Sequence, residues 1–218
     1  MPATTYSQFC ALARALELLG ERWTLLIVRE LLLGPKRFSD LRDRLEGVSP
    51  SVLAERLARL EDDGLISRRY LEPPAVSTVY ELSESGLALE GAVFELIRWG
   101  ARFLFPQRPG ERFEPDWLRL VFAAYARKDR SPAVSVALRV TIGGRQAVIG
   151  VAGGRRGTVV TADGDGADVV VDAKDPEVVL GLMSGSIDGR GAIKRGEVHA
   201  EGDVAALALF PQLFGVRR

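Results

Sequence analysis

The sequence predicts an α+β protein in two parts, a small helical unit closed by a β-hairpin, then an antiparallel sheet with flanking helices. Three observations predict it. Residues 49–65 read as one capped amphipathic helix, 66–82 hold two strand-like runs around a proline-containing loop, and beyond the proline-rich stretch 104–115 the pattern turns to Val-, Thr- and Ile-rich runs split by glycines. The 218 residues suffice for two modest domains, here 1–103 and 116–218 with 104–115 as linker.

Residues 1–7 lack periodicity and read as a loose leader. Residues 8–19 carry Phe9, Leu12, Leu16 and Leu19 at helical spacing and end at Gly20, while 21–33 are apolar on more than one face and predict a buried central helix before the Gly34-Pro35 break. Residues 37–45 form a second short helix through Phe38, Leu41 and Leu45, joined by Glu46-Gly47-Val48 to the helix of 49–65. There Ser49 supplies an N-cap oxygen, Pro50 a preset φ and Gly64 a left-handed stop, which gives about four turns. Leu53, Leu57 and Leu60 share one stripe; Ser51, Glu55, Ala58, Arg59 and Asp62 point the opposite way, with Val52 and Arg56 on the flank.

Two short helices with a tight glycine turn make a helix-turn-helix, and strands at 66–70 and 79–82 stand where a wing would be. The first domain is therefore read as a winged helix. Ser83 is the N-cap of a long helix running to Phe103, whose Leu87, Leu96, Trp99 and Phe103 add more apolar surface than a lone winged helix covers.

Gly20, Arg22-Trp23, Leu26-Ile27, Leu31, Gly34-Pro35, Arg37-Phe38, Leu41, Ser49-Pro50, Leu53, Arg56-Leu57, Leu60 and Gly64-Leu65 together resemble the HxlR-type winged helix-turn-helix regulators, relatives of the MarR group. The resemblance implies a homodimeric transcriptional regulator on double-stranded, pseudo-palindromic operator DNA, with the second helix of the motif in the major groove. On that reading Ser49, Ser51, Arg56 and Arg59 meet the groove or its phosphates, Lys36, Arg37 and Ser39 position the helix pair, and Arg68 and Arg69 hold the wing base. The wing departs from the family pattern, because 73–78 carries no cation and the minor-groove contact lacks its arginine. Some such regulators use an N-terminal cysteine as a redox sensor, which makes Cys10 a possible one; its neighbours Phe9, Ala11 and Leu12 instead predict a buried, inert thiol.

In the second domain, 116–128 reads as a helix and 133–142, 145–152, 155–162 and 167–172 as an antiparallel meander. Asp175-Pro176 opens a further helix, and 204–214 is an apolar helix interrupted by Pro211. This order, with Leu182-Met183-Ser184-Gly185, Gly196-Glu197-Val198 and Glu201-Gly202-Asp203, resembles the sterol-carrier-protein-like fold. The resemblance implies an apolar cavity between sheet and helices and, within it, a small hydrophobic ligand.

Chemistry is sparse. One cysteine and one histidine leave no disulfide framework, no Cys/His zinc cluster and no Ser-His-acid set, so neither an enzyme nor a cofactor is expected. His199 reads as a partly exposed position on a strand, and Asp163, Asp165 and Asp168 as a solvated turn without the closing glutamate of a calcium loop. With no run of about eighteen apolar residues and no signal-like N-terminus, the expectation is a cytoplasmic protein without membrane contact. The zero net charge argues against a non-specific nucleic-acid coat, but screening over ~8 to 10 Å makes local placement decisive. The alternative reading is a carrier or sensor of a hydrophobic small molecule whose winged helix serves dimerisation or protein contact.

Overall fold

A computed structural model describes residues 5–73 and 76–216. The wing tip at 74–75 and the first four residues of the expected leader lie outside them. The chain divides into two compact units, 1–93 and 94–218.

The first unit runs α1 (Ala11–Leu19), α2 (Thr24–Leu32), α3 (Phe38–Arg44), α4 (Pro50–Asp62), β1 (Ile66–Leu71), β2 (Ser77–Leu82) and α5 (Glu84–Leu87), and the next helix, α6 (Glu90–Gly100), carries the chain across the boundary. Helix α2 begins three residues later than its apolar pattern, because Trp23 takes a left-handed φ of 79° and the Arg22 guanidinium stacks on its ring at 5.0 Å. Ile27, Val28 and Leu31 of α2, Leu41 of α3, and Leu53 and Leu57 of α4 are all buried and form the core. Between α3 and α4, Gly47 holds a φ of 87°, which a side chain would resist, so the turn can be short. Strands β1 and β2 pair antiparallel with Ile66 opposite Leu82, and Lys36 extends the ladder by exchanging both main-chain bonds with Tyr80.

The Ser83 cap is in place, its Oγ accepting the Gly86 N–H at 3.1 Å. The single long helix expected after it is instead divided into α5, α6 and a 3₁₀ turn at Ala101–Phe103. The ladder tightens at Leu89, whose N–H bonds to the Gly86 carbonyl three residues back at 3.1 Å.

In the second unit, α7 (Trp117–Tyr125) precedes β3 (Ser135–Ile142), β4 (Arg145–Gly154), β5 (Gly157–Thr161) and β6 (Val169–Ala173). Then come α8 (Pro176–Ser184), α9 (Gly189–Lys194), β7 (Val198–Gly202) and a 3₁₀ segment, Val204–Leu213. The sheet order is β5-β4-β3-β6-β7. The meander expectation therefore needs correction: three strands are antiparallel, but β6 crosses over to lie parallel to β3, with Leu138 opposite Val171. Alternation and turns define strands locally but cannot say which edge a fourth strand joins. The terminal apolar helix is 3₁₀ throughout, with Pro211, which has no N–H to donate, inside it.

One face of the sheet packs against α7, α8 and the 3₁₀ segment. The space where an apolar cavity was expected is filled by Leu118, Leu182 and a cluster of Phe122, Phe210 and Phe214 with ring centroids 5.2–6.0 Å apart. No helix among the described residues is long and apolar enough to cross a membrane.

Candidate nucleic-acid interface

Helix α4 is held at both ends and along one side. The Ser49 hydroxyl accepts the Val52 N–H at 3.3 Å and lies 3.1 Å from the Ser51 hydroxyl, and Pro50 occupies the first turn. Leu53, Leu57 and Leu60 are at most 2 % exposed. Burying three leucine side chains contributes roughly 1.5–3 kcal/mol each, enough to fix which face turns outward. The outward face carries Ser51, Ala54, Glu55, Ala58 and Asp62, all exposed. Small side chains at Ala54 and Ala58 let another surface approach the helix closely.

Cations border this face, and most are held by carboxylates. Arg59 lies 3.6 Å from Asp63 with its side chain about a quarter exposed, Arg68 pairs with Glu61 at 2.7 Å, and Arg69 pairs with Glu81 at 2.9 Å. The Arg68 guanidinium also stands 5.5 Å over the Tyr80 ring. Ahead of α3, Arg37 is exposed and its main-chain N–H donates to Asp40 at 3.0 Å; the Ser39 hydroxyl reaches the same carboxylate at 3.4 Å. Lys36 sits beside them, anchored through its backbone to β2.

Arg56 is placed differently. Its side chain is only 14 % exposed, its guanidinium pairs with Glu21 at 2.7 Å, and its Nε is buried without a partner among the described residues. It pins α4 to the turn that precedes α2. Exposed ion pairs are weak and exchange readily with an incoming phosphate, whereas an inward arginine does not.

A buried charge that the sequence reading passed over supports this scaffold. Glu30 on α2 is fully buried and accepts from Arg29 at 2.7 Å and from Arg44 of α3. A lone carboxylate inside the apolar run Thr24–Leu32 was the available signal, since such a group must be paired to be buried. Cys10 also departs from expectation. It occupies the N-cap position of α1 and is exposed in the single chain, because residues 5–10 are all exposed and offer no packed surroundings. His199 is exposed on β7, 3.4 Å from Glu201.

Residues 18–108 match the family model described as HxlR-like helix-turn-helix. The transcriptional regulator YodB of Bacillus subtilis is 38 % identical over 92 residues, which are 42 % of this chain and 82 % of that protein. The uncharacterized regulator YvaP of the same organism is 36 % identical over 93 residues, 43 % of this chain and 86 % of its own. A solved structure of reduced YodB, 35 % identical, covers 46 % of this chain and 100 % of that one with a TM-score of 0.40. These relatives are transcriptional regulators, not enzymes.

Proposed function

Since this chain belongs to the HxlR-like helix-turn-helix family, we propose that it regulates transcription by binding pseudo-palindromic operator DNA as a homodimer, with α4 of each subunit in the major groove. The observation that carries the reading is the outward face of α4. Small residues at Ala54 and Ala58 leave it open, Ser49 and Ser51 present hydroxyls at its leading end, and Arg59 stands at its margin on a weak pair. Lys36, Arg37 and Ser39 meet the phosphate backbone, and Arg68 and Arg69 do so at the wing base after exchanging carboxylate for phosphate. Arg56, turned toward Glu21, acts mainly by holding α4 in place.

Replacing Arg59 by alanine is expected to weaken operator binding by about 1–3 kcal/mol if it reads a base. Gel-shift titration checks this, and unchanged affinity removes Arg59 from the interface.

Dimerisation is supported by apolar side chains left open in the single chain, Phe9, Leu12 and Leu16 on and before α1 and Leu96, Trp99 and Phe103 on and after α6. Cys10, exposed just ahead of α1, is the possible redox sensor. Operator release by diamide is expected to disappear in Cys10→Ser, and release that persists excludes the thiol. The second unit reads as sterol-carrier-like on its element order. A hydrophobic ligand there would have to displace part of the Phe122, Phe210 and Phe214 cluster. Native mass spectrometry of the purified chain looks for it, and its absence removes that ligand.

A further inference from the structure

Wholly within the second unit, three segments converge: residues 127–133 after α7, the turn joining β4 to β5, and the end of the 3₁₀ segment at Gln212. They are laced by main-chain bonds. The Arg127 N–H donates to the Leu213 carbonyl at 3.1 Å, the Thr158 N–H to the Arg127 carbonyl at 2.9 Å, and the Ser131 N–H to the Gly154 carbonyl at 3.0 Å. The buried Ser131 hydroxyl accepts the Gly154 N–H at 3.0 Å. Only glycine permits this approach: a Cβ at Gly153 would lie 2.0 Å from the Pro132 carbonyl oxygen, and one at Gly157, φ 104°, 2.4 Å from that of Arg127.

The frame borders an open pocket of about 530 Å³ lined by Arg127, Arg130 and Arg155, with Ser131 and Gln212 beside them. Arg127 is oriented by a two-pronged pair with Asp129 at 3.0 and 2.8 Å, whereas Arg130 and Arg155 are exposed. No carboxylate is among the lining residues. Three arginines line the pocket and only Arg127 is paired by Asp129, so the lining carries positive charge that an anion would offset. Their planar forks match the oxygens of phosphate and carboxylate, and the volume is that of a small-ligand site.

We infer that this pocket binds a small anionic metabolite through a phosphate or carboxylate group held by Arg130 and Arg155. The site stands independently of the operator reading.

Calorimetric titration of the full chain at low salt tests it, with pyrophosphate and citrate as separate probes. Saturable one-to-one binding of at least one probe is expected; pyrophosphate alone marks a phosphate site, citrate alone a carboxylate site. Arg130→Gln and Arg155→Gln should each weaken it about tenfold, as expected for loss of a charged hydrogen bond, and the double variant more. Both side chains are exposed, so the variants should melt like the parent, and Arg190→Gln, exposed elsewhere on the unit, should bind like it. Failure of both probes to bind, or undiminished binding by the double variant, overturns the inference.

Discussion

At the scale of single residues, the first unit depends on a carboxylate that never meets water. Glu30 sits between Arg29 and Arg44 and ties α2 to α3. Truncating it removes the buried carboxylate that Arg29 and Arg44 share, so Glu30→Ala should cost about 3–5 kcal/mol, read from urea unfolding. A loss below 1 kcal/mol would mean that water already reaches the pair. Glu114 repeats the arrangement in the second unit, buried at 3.0 Å from Arg112 and 2.5 Å from Arg145. The sequence placed Arg59 on the outward face of α4 and Arg56 on its flank, and assigned both to the groove or its phosphates. Their environments separate them, because Glu21 lies in the turn before α2 and only the folded chain brings it to Arg56.

At the scale of elements, α1 to α4 and the hairpin of the first unit were legible because their signals are local: the Ser49 cap, the Gly34-Pro35 break and the leucine stripe of α4 act within a few residues, whereas the Ser83 cap marked where a helix starts but not the break between α5 and α6. The β3–β6 pairing was not, since its partners are 33 residues apart and a parallel crossover leaves no turn signature. What pins that pairing is Asp168, whose carboxylate accepts the Ser135 N–H at 2.7 Å and its hydroxyl at 2.9 Å. These bonds, the backbone one foremost, hold the Asp168 carboxyl below its ordinary range. Its contribution to stability is therefore present above the unfolded value of about 3.9 and lost as pH falls through the lower folded value. Asp168→Asn should melt lower than the parent near neutrality, the gap closing in melts recorded below about pH 4. A gap independent of pH would show that the carboxylate charge plays no part.

At the scale of the whole molecule, the proposed function is a property of two copies. The excess apolar surface around α1 and α6 was legible in the sequence, and on the proposed reading a second copy covers it. C2 symmetry would set two α4 helices about one duplex turn, ~34 Å, apart. Hydroxyl-radical footprinting of the full chain on duplexes selected from random DNA tests this most directly. Two inverted half-sites centred about 10 base pairs apart are expected, with binding that falls steeply as salt rises. A single protected half-site, or no sequence selected at any salt, would contradict the proposed function.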